Sequence, residues 1–187
     1  MSMFENLAQD TRRLELNRRA NYPWYVLEAL LFDNGFQGVV AYRVASWFKR
    51  HRIPILGPFV ARLGLFLTGV DIAPGAEIGP GLIISHGTGL VIGSHTKIGA
   101  RAILLHQVTL GAPDVGRLEE MPTVGDDVYI GAGAALIGGI KIGDRVVIGL
   151  NTVITEDVPD DTRVVSAAEQ KVTRRSGDRA ESAGSIA

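Results

Sequence analysis

Hydrophobic residues return along this chain with two different spacings. Through residues 2–52 they recur at steps of three and four, in MFENLAQDTRRLELNRR and again in FQGVVAYRVASWFKR after Gly35, which predicts an α-helical region. From Ile72 the step becomes six. Aliphatic residues stand at Ile72, Ile78 and Ile84, then Ile92, Ile98, Leu104 and Leu110, then Val124, Ile130, Leu136, Ile142, Ile148 and Ile154, most of them followed by glycine. Four positions after nearly every one comes a small or β-branched residue, among them Ala76, Thr88, Ala102, Val108, Ala134, Val146 and Thr152; Leu82 is bulkier and Asp114 breaks the pattern.

A six-residue unit is too short to be stable alone and must stack on copies of itself. A parallel β-helix with three short strands per turn buries the aliphatic column and places the small residue beside it, while glycine eases the corners. Simple strand alternation would give a period of two and an α-helix 3.6, so neither fits. The fold class predicted is mainly β, a parallel β-helix preceded by an α-helical region. The expected boundaries are residues 1–70 for the helical part, 71–165 for the β-helix and 166–187 for a flexible polar tail.

The repeat slips twice. Ile84 to Ile92 is eight residues, an insertion of two at GTGL, and Leu110 to Val124 is fourteen, which predicts a loop over Ala112–Thr123 (APDVGRLEEMPT). Loops thrown from a rigid solenoid often carry function.

Charge and composition narrow the chemistry. A formal net charge of −1 argues against nucleic acid as a partner, because phosphate recognition relies on clustered excess lysine and arginine. Cysteine is absent, so there is no thiolate nucleophile, disulfide or cysteine-ligated zinc, and no cleavable signal opens the chain. A cytoplasmic protein acting on a small molecule is expected. The apolar run Ile53–Val70 contains Pro54, Pro58 and Arg62 and is too short to span a bilayer, so it reads as packed protein. The basic cluster Lys49, Arg50, His51 and Arg52 before it leaves contact with a membrane surface open.

With three repeats per turn, those beginning at Ile84, Leu104, Ile130 and Ile148 share one face, and their third positions are His86, His106, Ala132 and Leu150. That position points outward, with neighbouring coils about 4.8 Å apart. His86 is therefore not a core histidine. A metal site would need a third ligand, and His95 and His51 lie elsewhere, so no metal is expected. A general base, accepting the proton of an attacking hydroxyl near neutral pH, is the favoured role.

The segments VDIAPGAEIGPGLIISHGTGLVIGSHTKIGARAILLHQVTLGAP and VGDDVYIGAGAALIGGIKIGDRVVIGLNTVI, with GFQGVVAYRVASW before them, resemble the serine O-acetyltransferase branch of the hexapeptide-repeat acyltransferases. The resemblance implies a left-handed coil, a homotrimer with pairing of trimers left open, and acetyl-CoA lying in a groove between subunits. It implies that His86 of SHGTG takes the acceptor's proton while Asp71 of VDIAP, fifteen residues earlier, orients the imidazole. It places Gly111, Ala112, Ala132 and Leu150 against the donor. Leu150 stands where the family has a small residue, and SAAEQ (Ser166 to Gln170) replaces its usual C-terminal stretch, which leaves two readings for Lys171, Arg174 and Arg175, contact with the phosphates or a solvated basic tail.

At the acceptor the chain departs from the family. Ser85 stands where an aspartate precedes the histidine, and Glu120 and Met121 where an arginine and a histidine meet the serine carboxylate. These exchanges predict an acceptor without a carboxylate, as in the acetyltransferases of exopolysaccharide and capsule synthesis: a free or carrier-linked sugar whose hydroxyls meet Ser85, His106, Glu119 and Glu120. The alternative is serine itself, in cysteine synthesis.

Overall fold

The computed structural model describes residues 3–18 and 24–166. The expected tail over 166–187, with Lys171, Arg174 and Arg175, lies outside these residues except for Ser166. Four helices come first: α1 (Met3–Arg18), α2 (Tyr25–Phe32), α3 (Asn34–Arg50) and α4 (Leu56–Thr68). Asp33 caps α3, its side chain accepting the Phe36 amide at 3.1 Å. Gly69, at φ +73°, ends α4 in the left-handed conformation that suits glycine.

The six-residue repeat then forms three parallel faces. Face A stacks β1 (Val70–Ile72), β4 (Leu90–Ile92), β7 (Thr109–Gly111), β10 (Ala135–Ile137) and β13 (Val153–Ile154). Face B stacks β2 (Glu77–Ile78), β5 (Lys97–Ile98), β8 (Thr123–Val124) and β11 (Lys141–Ile142). Face C stacks β3 (Ile83–Ser85), β6 (Ile103–Leu105), β9 (Tyr129–Ile130), β12 (Val147–Ile148) and β14 (Arg163–Val164). The register on face C runs Ile84, Leu104, Ile130, Ile148, Val164, the grouping that a count of three repeats per turn predicts.

The aliphatic column fills the interior together with the small residues Ala76, Ala102, Val108, Ala134, Val146 and Thr152. Thr88 is the exception. The two-residue insertion at GTGL pushes it to the surface, and Leu90, buried completely, takes the place opposite Val108.

The corner between faces B and C is built by charge. Asp126, Asp144 and Asp160 each accept a backbone amide of the preceding coil, from Ala100, Asp126 and Asp144 respectively, at 2.7–2.9 Å. Beside them Arg101 pairs with Asp127 and Arg145 with Asp161. Hydrogen bonds from these arginines hold both aspartates below the ordinary carboxylate range.

The helices lock onto the first coil through a buried ion pair. Arg43 of α3 meets Asp10 of α1 at 2.9 Å and also donates to the carbonyls of Ile78 and Gly79 at 2.6 Å, while Asp10 accepts the amides of Gly81 and Leu82. Both charges are thus held by several hydrogen bonds each, which offsets much of the penalty for burying them. The Tyr42 hydroxyl adds a bond to the carbonyl of Ala76 at 2.8 Å.

The run Ile53–Val70 departs from its expected packing. Gly57 and Gly64 bring α4 close to α3 on one side, but Ile55, Phe59, Leu63, Phe66 and Leu67 face outward. No helix among the described residues is long and apolar enough to cross a membrane.

Candidate functional site

His86 follows directly on β3 at the corner from face C to face A. Its side chain is exposed and its φ is +56°, so it is neither a core residue nor part of a regular strand. The corner is held from below by two glycines. A Cβ on Gly87 would stand 2.5 Å from Cγ2 of Val70 and 2.9 Å from Cγ2 of Ile84, and a Cβ on Gly35, at the start of α3, would collide with the carbonyl oxygen of Ile84. The first turn of α3 is therefore pressed against the peptide that carries His86. Asn34 completes the anchorage, its side-chain amide donating to Thr68 O at 3.2 Å and Thr88 Oγ1 at 3.1 Å.

Asp71 lies mid-strand in β1, between buried Val70 and Ile72, and so points outward from face A. The contact of Gly87 with Val70 brings together the residue after His86 and the residue before Asp71. Among the described residues the two side chains make no hydrogen bond to each other or to a third group.

Ser85 pairs in register with Leu105, so His86 and His106 open the corners of adjacent coils. Beyond that point the ladder shifts. Gln107 N donates to Thr88 O at 3.1 Å, as Gly133 N does to His106 O and Asn151 N to Ala132 O, so Thr88, and not His86, continues the column of His106, Ala132 and Leu150. The expected histidine stack holds only at the strand ends; the two inserted residues then carry His86 outward. His106 keeps its Nδ1 buried without a hydrogen-bond partner. Among the described residues no group of three or more histidine, aspartate or glutamate side chains could hold a metal.

Ala132 is half-buried and Leu150 is 61% exposed at the same C-to-A edge. Gly111 and Ala112 lie at the other end of face A, where β7 runs into the long loop. The loop does not project freely. Met121 turns inward, its sulfur accepting from the His95 amide at 3.3 Å and lying where a side chain on Gly93 would sit, while His95 Nδ1 bonds Leu118 O at 3.1 Å. Glu120 is paired with Arg117 at 3.3 Å, and Arg117 is held in turn by Asp114 at 2.8 Å. A single chain thus brings Ser85, His86, His106, Ala132 and Leu150 to one edge and leaves Gly111, Ala112 and Glu120 at the opposite one.

The sequence pattern did not reveal Asn34 or the Met121–His95 anchor; Arg117 was legible as the one arginine beside Glu120, but not its ion pair with it. Asn34 beside Asp33 carries a helix-start signal that points to capping but not to its tie with Thr88, and nothing local marks Met121 as an inward residue.

Residues 121–156 match the bacterial transferase hexapeptide family of six repeats. A serine acetyltransferase of Synechococcus elongatus is 40% identical over 178 residues, covering 95% of this chain and 71% of that protein. One of Helicobacter pylori is 37% identical over 163 residues, covering 87% of this chain and 94% of that protein. Soybean serine acetyltransferase in its complex with serine superposes with a TM-score of 0.81 at 34% identity, over 89% of this chain and 68% of that one.

These likenesses overturn the expected sugar acceptor and lend no support to the expected closeness to exopolysaccharide and capsule enzymes. The sugar reading rested on Ser85 in place of an aspartate, on Glu120 repelling a carboxylate and on Met121 replacing a polar ligand. In the folded chain Arg117 offsets Glu120, and Met121 is an internal anchor of the loop. With relatives of that kind aligned along almost its whole length, the chain belongs to the serine acetyltransferase family.

Proposed function

We propose that the protein transfers the acetyl group of acetyl-CoA to the hydroxyl of L-serine by direct attack, with His86 as general base. The observation that carries this reading is the match to serine acetyltransferases along 95% of the chain, which spans the corner bearing His86. An exposed imidazole on a corner held by Gly35 and Gly87 has the fixed backbone and free ring nitrogens that proton transfer requires. Asp71, reached through the Val70–Gly87 contact, is the carboxylate that orients the ring and stabilises its charged form. The serine hydroxyl loses its proton to His86 as its oxygen attacks the thioester carbonyl; the tetrahedral intermediate then expels CoA thiolate, which takes that proton from the imidazolium and restores neutral His86. No covalent acetyl-enzyme forms, and the chain has no cysteine to carry one.

The two ends of face A lie a three-residue strand apart, about 10 Å. A site that uses both is completed between subunits, with the C-to-A edge of one chain facing the loop edge of the next in a homotrimer. Ala132 and Leu150 on one wall and Gly111 and Ala112 on the other would line the acetyl-CoA groove. Ser85 and His106 flank the acceptor beside His86. Glu120 would meet the serine ammonium and Arg117 its carboxylate, so that their ion pair exchanges for contacts to a zwitterion. Residues 1–70 act as the unit whose α3 start, through Asn34 and Gly35, fixes the catalytic corner, and residues 71–165 as the unit that presents the groove.

The test is CoA-thiol release with L-serine beside L-serine methyl ester and ethanolamine, which lack the carboxylate. Serine should be the preferred acceptor, and Arg117→Gln should erase most of its advantage by raising KM for serine. Absence of serine-dependent thiol release would remove the reading.

A further inference from the structure

The outer side of α4 is explained neither by the core nor by the catalytic corner. Leu56, Phe59, Leu63, Phe66 and Leu67 follow one another at helical spacing and form one stripe, with Phe66 85%, Leu67 68% and Phe59 62% exposed. Leu30 of α2 adjoins this stripe across a shallow groove shared with Leu63 and Leu67. Ile55, just before the helix, extends it toward the α3–α4 connection. A continuous apolar face of this kind on a folded chain marks a surface that meets something.

Charge identifies the partner. Between Asp33 and Asp71 the sequence contains no aspartate or glutamate, although the whole chain carries a net charge of −1. In that interval Lys49, Arg50, Arg52 and Arg62 are exposed, and among the described residues none of them has an ion-pair partner. Apolar side chains flanked by uncompensated cations match an anionic lipid surface, where the cations meet headgroups and the stripe enters the acyl boundary. A second copy of the chain fits less well. A two-fold contact through this face would set four cations against four, with no carboxylate from the segment to neutralise them. At 13 residues α4 is too short to cross a bilayer and is suited to lie along it.

We propose that α4 and the connection from α3 form a docking surface for an anionic bilayer. This surface is separate from the catalytic corner and does not depend on the acceptor. The test is flotation of the full chain with vesicles of phosphatidylcholine alone and of phosphatidylcholine with phosphatidylglycerol. The chain should float only with the anionic vesicles, and added salt should release it. Arg50→Glu and Arg52→Glu should each weaken partition by about fivefold or more. Phe59→Ser with Phe66→Ser should abolish it, leaving the light-scattering mass and acetyl transfer unchanged. No association with anionic vesicles would overturn the proposal. So would a Phe59→Ser, Phe66→Ser protein that changes its mass but not its vesicle partition, because a second copy would then be the occupant.

Discussion

The role proposed for His86 depends on where two extra residues fall. Without them the corner would run like that of the next coil, where His106 stays half-buried and its Nδ1 has no partner. With them the imidazole stands clear of the column while Gly87 and Gly35 keep its backbone fixed. The insertion and the outward direction were legible in the sequence, because the six-residue count breaks at GTGL. The displacement of His86 from the histidine column was not, because a count from Ile84 and a count back from Leu90 assign different residues to the same position. The assignment of Asp71 as the orienting group leads to a graded expectation. Asp71→Asn should reduce turnover by less than removal of His86 does and leave KM for acetyl-CoA unchanged, as steady-state kinetics at varied donor would record. Equal losses in the two variants would mean that Asp71 does more than orient.

Among the elements, the helix pair α1–α3 and the B-to-C corner both rely on charge, with different consequences. Arg43 and Asp10 are buried, so Arg43→Ala leaves an uncompensated carboxylate and should cost about 3–5 kcal/mol in urea unfolding. Replacing both by apolar residues should cost less than Arg43→Ala alone, apart from the amides of Gly81 and Leu82 that lose Asp10 as acceptor. The pairs Arg101–Asp127 and Arg145–Asp161 are solvent-exposed and respond to pH. Their aspartates have lower pKa values folded than unfolded, so their stabilisation is complete above the ordinary carboxylate pKa and disappears as pH falls through the folded value. The thermal midpoint should therefore drop on acidification below about pH 4, and Arg145→Gln should make that drop shallower. The α4 helix shows what pattern alone misses. Its apolar run reads as core by composition, and only its packing on α3 through Gly57 and Gly64 shows that one side is left outside.

For the whole molecule, period was the reliable signal and polarity of single residues the misleading one. The solenoid and its strand register followed from the sequence because most coils repeat the same requirement, an aliphatic residue inward and a small one beside it. The acceptor was misjudged because Glu120 and Met121 were weighed by charge and polarity alone, whereas the folded loop pairs one with Arg117 and turns the sulfur of the other toward His95 and Gly93. No spacing rule links residues 93–95 to residues 117–121 across a loop. We propose that this solenoid acetylates serine through His86. The most direct measurement is the formation of O-acetyl-L-serine from acetyl-CoA and L-serine, followed by mass spectrometry, for the wild-type protein and His86→Ala at matched assembly state. Serine acetylation that falls by about 10² to 10⁴ in the variant is the predicted result. No O-acetylserine from the wild-type protein, or the same rate from His86→Ala, would contradict the account.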